Sequence, residues 1–372
     1  MTKERRSNTV TIIHFRDILL YPPALNLFRY FADSNKFKKV VLCSQTDYND
    51  NLTSAKYYNT TQQNSTNKFV RLISYLWFYL YVFSVLIITH PDDIIYYESL
   101  SFPPVYYYQK IRKKVGVYCH NHEYDTMQEY REGMSLNKWA HDLELKCYNS
   151  FQWISHTNPE RIDLFLKEYP SINTSIVHSM PNHPPKLWSE IAKAHEKDKA
   201  GYPLKLVYVG ALGMEDMYLK ELCLWVVNQN GTITLDIYTG TNTSKQVQDF
   251  FFTLNTSYIS LRGKVPYDDL PKILPAYNIG VIIYKCKTLN VIYSEPNKFF
   301  EYYVCGLDIW YPKEMISMKK NITSDSSPKI VEVDFQNLLP VEHYYSKNIK
   351  KQYKADYNAE SNYMELLNKI CS

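Results

Sequence analysis

The sequence predicts an α/β protein of two domains, each a mainly parallel sheet flanked by helices, with the two sheets facing across a cleft. Three observations carry that reading. A chain of 372 residues, 45% of them hydrophobic, exceeds one ordinary core and suffices for two. Short β-branched runs alternate with helical segments in two successive series, the pattern of βαβ units. Between the series lies a break with four prolines from 181 to 203 and a charged run from Lys193 to Lys199. The implied organisation is an N-terminal domain over 1–185, a linker over 186–203, a second domain over 204–345, and a helical tail over 346–372 that packs back towards the first domain.

In the first series, Thr9 to Phe15 alternates like a strand, and Tyr21-Pro22-Pro23 then starts a helix running to Asp33. Lys39–Cys43 reads as a second strand and the Asn- and Thr-rich 47–67 as loop. From Leu72 to Ile88 come 17 residues without a charge, at the lower edge of a membrane span, which fit a buried or surface-docked helix better. Strands follow at Asp92–Tyr97, Val115–Cys119 and Phe151–Ser155, with helices up to Lys113, over Met134–Tyr148 and after Asn158-Pro159. In the second series, strands at Leu204–Val209, Ile233–Tyr238 and Tyr258–Leu261 each end in a glycine-containing loop. Ile279–Ile283 is the next strand, and Asn297–Val304 a helix closed by Gly306.

Composition narrows the function classes. The charge balance is 42 basic against 38 acidic residues, too even for a dedicated nucleic-acid binder, and no nucleic-acid motif is found. Seven cysteines lack any C-x-x-C pair, so reduced thiols are expected rather than disulfides or a zinc site. Met1–Arg6 does not open a secretory leader, and a cytoplasmic location follows as the expectation. Only 10 glycines occur, so each marks a place where a side chain could obstruct backbone or ligand. No P-loop, nucleophile elbow or G-x-G-x-x-G is present. A dehydrogenase, a sugar epimerase or a two-domain binding protein would all suit this pattern.

Two segments carry chemistry. In Tyr293-Ser294-Glu295-Pro296-Asn297-Lys298-Phe299-Phe300-Glu301, Pro296 opens a helix, so Asn297 and Lys298 fall in its first turn. Free N–H groups and the helix dipole attract an anion there, and Lys298 adds a full charge. Glu301, three residues on, lies on the same face and suits sugar hydroxyls. A capped surface helix with a Lys–Glu pair would read the same way. The second segment, Cys119-His120-Asn121-His122-Glu123-Tyr124, follows a strand directly. Its histidines lack third and fourth ligands at metal-site spacing, which leaves a structural histidine or a strand-end histidine facing the cleft.

The run Pro296–Tyr302 followed by Cys305-Gly306-Leu307 resembles the donor-site signature of retaining GT-B glycosyltransferases of the group-1/family-four type. Leu206–Leu212, Ile259–Leu270 and Tyr277–Val281 are similar to other segments of that family's donor domain, in the same order. The resemblance implies two Rossmann-like domains, a nucleoside-diphosphate sugar as donor, and a glycan or lipid-linked acceptor in surface polysaccharide synthesis. It implies phosphate contacts from Lys298, with Asn297 beside it in the donor site, ribose contacts from Glu301, and close approach of the Gly210–Gly213 loop to the pyrophosphate. Backbone at Gly263–Val265 would read the base, Arg262 or Lys264 would add positive charge, and the pair His122-Glu123 would act on the transferred sugar, with His120 as the alternative. Many relatives carry two glutamates eight apart; the residue eight before Glu301 is Tyr293, which keeps a catalytically inactive GT-B-like binding subunit as an alternative beside a sugar-nucleotide epimerase. No D-x-D triplet occurs, so neither a metal nor another cofactor is expected. The basic Lys110, Arg112, Lys113, Lys114 and Arg5-Arg6 beside an apolar helix add membrane-surface contact, peripheral at the inner face, to the expected partners.

Overall fold

The computed structural model describes residues 9–46, 48–50, 52–60, 67–196, 203–240, 243–322, 328–345, 353 and 355–372. Arg5, Arg6, Lys197, Lys199, Lys347, Lys350, Lys351 and Lys354 lie outside the described residues. The chain divides into two compact units, Met1–Asn182 with Ala359–Ser372, and His183–Asn358.

The first unit runs β1 (Thr9–His14), α1 (Pro22–Asp33), β2 (Lys39–Ser44), β3 (Ala55–Asn59), α2 (Lys68–Thr89), β4 (Asp93–Tyr97), α3 (Pro103–Ile111) and β5 (Gly116–Asn121). It continues with α4 (Met127–Glu132), α5 (Ser135–Leu145), β6 (Trp153–His156), α6 (Pro159–Glu168) and β7 (Val177–Ser179). Its seven strands are all parallel in the order β3-β2-β1-β4-β5-β6-β7. β1, β4 and β5 are buried almost throughout, as a sheet covered on both faces requires. β3 lies within the stretch expected to be loop. Its sequence Ala-Lys-Tyr-Tyr-Asn is half polar because it is an edge strand with one side open to water.

The second unit starts with α7 (Leu187–Ala194) and alternates β8 (Leu204–Val209), α8 (Leu219–Asn228), β9 (Ile233–Tyr238), α9 (Lys245–Leu254), β10 (Ile259–Leu261), α10 (Leu270–Ile273) and β11 (Ile279–Val281). After α11 (Leu289–Ile292) and α12 (Asn297–Val304) come β12 (Asp308–Pro312) and β13 (Ile330–Val333). The six strands are again parallel, ordered β10-β9-β8-β11-β12-β13. α7 falls within the stretch read as linker, yet Trp188 and Ala192 are buried in this unit's core beside Leu270, Leu274 and Tyr277. The last helix, α13 (Ala359–Cys371), returns to the first unit: Tyr363 is buried there and donates to the Pro23 carbonyl at 2.9 Å.

Both strand orders reverse direction once, between β1 and β4 in the first sheet and between β8 and β11 in the second. In open parallel sheets the connections diverge at that point and leave a crevice at the carboxyl ends, where ligands bind. Each unit therefore has one position that its topology favours for a site.

Candidate functional site

At the second unit's switch point, β8 ends at Val209 and the chain turns through Gly210 with φ +142°. A side chain here is strained by the backbone, and a Cβ would lie 2.8 Å from Lys298 Cε. Gly210 and Lys298, far apart in sequence, are thus packed against each other. Pro296 caps α12 in extended conformation, which puts Asn297 and Lys298 in its first turn. Lys298 Nζ donates to Tyr284 Oη at 2.6 Å and lies 5.5 Å from the Tyr208 ring centroid and 5.2 Å from that of Tyr284. Two aromatic faces flank the ammonium without neutralising it, which leaves its full charge for an anion. At its other end α12 closes on Gly306, φ +73°, whose N–H donates to the Tyr303 carbonyl at 3.0 Å.

Glu301 is buried one turn after Lys298, and its carboxylate makes no hydrogen bond to any described residue. Burial pushes its pKa up to about 7, with Lys298 pulling the other way. Between about pH 4.5 and 7 the folded protein binds more protons than the unfolded chain, so this group makes stability fall with rising pH across that window. Thermal melts of Glu301→Gln should lose that slope between pH 5 and 7; an unchanged slope would place its origin elsewhere.

The tyrosine after Glu301 fixes the loop. Tyr302 Oη accepts from the Val209 N–H at 3.1 Å, directly before Gly210, while its ring fills the space over Gly280. Glu295 is buried and engaged by Lys320 at 3.1 Å and Asn321 at 2.8 Å, partners in the segment leading to β13. Gly213 sits above Asp216, and its N–H reaches Met217 Sδ at 3.1 Å. Arg262, Lys264 and Val265 follow β10, two strands away from β8. Arg262 is exposed and pairs with Asp236 at 3.0 Å, Lys264 is exposed, and Val265 packs against the core. No described contact brings Arg262 or Lys264 to Lys298.

At the first unit's switch point, β1 leads into Phe15-Arg16 and β4 into Glu98-Ser99. These residues with His14, Tyr21, Tyr97 and Glu123 line a cavity of about 60 Å³. Glu98 has φ +63° and ψ 150°, a conformation that costs a non-glycine residue of order 1–3 kcal/mol and persists only where its surroundings over-determine it. Here the carboxylate accepts the N–H of His122 at 2.7 Å and of Glu123 at 3.3 Å, the turn following β5. Burial raises the Glu98 pKa well above the usual range, and Glu123 adds to the shift. Asp125, also on the cavity, is pushed up to about 6 by burial and then by Glu123. Arg16 donates to Tyr21 Oη at 3.1 Å on the same wall.

His122 is buried. Its ring stacks on Tyr97 at 4.8 Å, beside His120 at 4.9 Å, and burial holds its pKa well below 6.5. Its Nε2 and that of His14 are buried with no hydrogen-bond partner. His120 meets Ser155 Oγ at 2.8 Å. The neutral histidines cluster around the Tyr97 ring, and of the three it is His14 that lines the cavity; no group of three metal-ligating side chains exists among the described residues. Glu98 itself was invisible to sequence reasoning. One acid after a strand is unremarkable until its backbone angles and partners are known.

No protein-family model matches this sequence, and no curated protein matches it. Solved structures do. The apo form of the lipopolysaccharide outer core galactosyltransferase WaaB superposes with a TM-score of 0.59 at 12% identity, covering 97% of this chain and 99% of that one. HepE from Anabaena, in complex with UDP and glucose, gives 0.57 at 10% identity over 87% and 85%. The UDP-GlcNAc 2-epimerase from Methanocaldococcus jannaschii gives 0.57 at 9% identity over 96% and 98%. At such identities the likeness concerns the fold, which is that of GT-B proteins.

Proposed function

We propose that the chain is a glycosyltransferase, taking a sugar from a nucleoside-diphosphate sugar and passing it with retention to a glycan or lipid-linked acceptor in surface polysaccharide synthesis. The second unit holds the donor, and the first serves the acceptor side. The observation that carries this reading is Lys298: an ammonium held by two tyrosines at the switch point, against the left-handed Gly210 loop, at a helix N-terminus. Such a constellation matches a diphosphate in charge and in the close approach of backbone.

In this mechanism Lys298 and the first-turn N–H groups of α12 stabilise charge building on the leaving diphosphate. Glu301, as carboxylate, accepts from the ribose hydroxyls, and backbone at 263–265 meets the base. Arg262 would first have to leave Asp236 to reach a phosphate. His122, neutral, and Glu123 act on the transferred sugar, with Glu98 fixing their backbone. Because the positive charge comes from side chains and amides, turnover should persist in excess EDTA; its abolition and rescue by Mg²⁺ would count against this assignment.

A panel of UDP-, GDP- and other nucleotide sugars, read by thermal shift, tests the donor site. Stabilisation by one nucleotide class is expected, followed by turnover with that donor and retention at the anomeric carbon by NMR. If none stabilises the protein, the reading fails. Epimerisation of the donor is the second reading, favoured by the epimerase fold likeness and by two carboxyls, Glu98 and Asp125, with raised pKa values on one cavity. Solvent deuterium appearing in the donor sugar would select it.

A further inference from the structure

The 22 residues of α2 make a helix about 33 Å long, and they contain no aspartate or glutamate. One face packs into the first unit's core through Phe78, Val82, Val85 and Leu86. The opposite face carries Phe69, Ile73, Leu76, Trp77, Leu80 and Ile88 in the open, with Trp77 61% and Leu80 64% exposed. Leu76 and Trp77 sit side by side, the other neighbours are spaced by three, four or (across Ser84) eight residues, and all fall on one side of the helix as a single stripe. The one polar residue within it, Ser84, turns its hydroxyl back to the Leu80 carbonyl at 2.8 Å. The helix is apolar and long enough to cross a membrane by length and composition, yet 28% of its apolar window is buried in the protein. Its attachment to the sheet makes it a surface helix. Scattered exposed apolar residues are ordinary, whereas a continuous stripe of this length marks an interaction surface.

The charges around it select the partner. β4 and β5 start in register, Asp93 opposite Gly116, so α2 and α3, which precede them, end at the same edge of the sheet. Arg112 and Asp92 close that edge at 3.4 Å. Lys113 and Lys114 stand exposed there, beside exposed Ile88 and Ile111. Lys110 lies over the Tyr106 ring at 4.4 Å, and Lys110 and Lys146 both act on Cys147. An apolar stripe ending in four lysines fits lipid tails beneath anionic head groups. A second copy of this chain fits it poorly, because α2 offers no carboxylate to the partner's lysines.

We propose that the exposed face of α2, with Lys110, Lys113, Lys114 and Lys146, docks the protein on an anionic lipid bilayer, the helix lying in the interface plane. This rests on the helix surface alone and is independent of the donor-site reading. The test is co-sedimentation of the full chain with vesicles of phosphatidylcholine alone or with 30% phosphatidylglycerol. Binding should be at least about tenfold tighter with phosphatidylglycerol and weaken severalfold as salt rises. Trp77→Ser/Leu80→Ser should lose about tenfold or more, and Lys113→Ser/Lys114→Ser about fivefold per lysine, with melting temperature and nucleotide stabilisation unchanged. Brominated lipid should quench wild-type fluorescence, and Trp77→Phe should remove that quenching, a readout that stands even if the double variant does not fold. Equal binding by the Trp77/Leu80 variant, equal binding to both vesicle types, or no vesicle binding alongside a dimer that the variant abolishes would each overturn the proposal.

Discussion

Lys298→Ala should lower kcat/KM for the nucleotide-sugar donor by about 10²–10³, the cost of removing one preorganised charge from a developing anion. The loss should fall mainly on kcat. A charge that grows on the diphosphate as the bond to the sugar breaks is stabilised more in the transition state than in the bound donor. Lys298 is only half-buried and anchored by the Tyr284 hydroxyl, so its removal opens no core cavity, and the melting temperature without ligand should change little. The thermal shift on adding nucleotide should shrink. Lys298→Arg keeps the charge but not the fit between the Tyr208 and Tyr284 rings, and it should recover only part of the rate. Full activity in Lys298→Ala would remove this residue from the chemistry. A collapse of the unliganded melting temperature would mean its role is structural.

The helix that bears Lys298 was legible because its signals are local: a proline at the start, a lysine in the first turn, a glycine after the end. β8, β9 and α12 were readable to the residue for the same reason, each being a compact run bounded by breakers. β3 was hidden because an edge strand with a wet face has neither an apolar run nor clean alternation. β12 escaped because it ends on Pro312, which reads as a breaker, and β13 because its four residues include the charged Glu332. α7 was lost among prolines and charges, although Trp188 alone gives it a place in the core. The site residues divide along the same line. Gly210 beside Lys298 and the burial of His122 against Tyr97 are facts of tertiary packing, and no spacing in the chain encodes them. Glu98 is the extreme case: its position is set by the backbone of a turn 24 residues later, through hydrogen bonds to His122 and Glu123.

Gly280→Ala should destabilise the protein by about 2–3 kcal/mol, and Gly280→Val by more, with loss of donor binding in whatever remains folded. Gly280 sits in the middle of β11, buried, between β8 and β12. A Cβ there would lie 2.3 Å from Tyr302 Cδ2 and 2.4 Å from its Cγ, atoms of a rigid, fully buried ring. Either the ring or the strand must shift, and a packed interior resists both. The ring's hydroxyl is also the acceptor for the Val209 N–H, so a displaced Tyr302 releases the residue just before the Gly210 turn. The damage should therefore reach the donor site from a glycine that touches no ligand. Tyr302→Phe alone should leave the fold nearly intact while loosening that turn, costing on the order of 1 kcal/mol for the lost hydrogen bond. Tyr302→Leu should relieve part of the Gly280→Ala penalty, so that the double variant is more stable than the sum of the singles. Strict additivity in chemical denaturation would mean that the strain of Gly280→Ala lies elsewhere in β11.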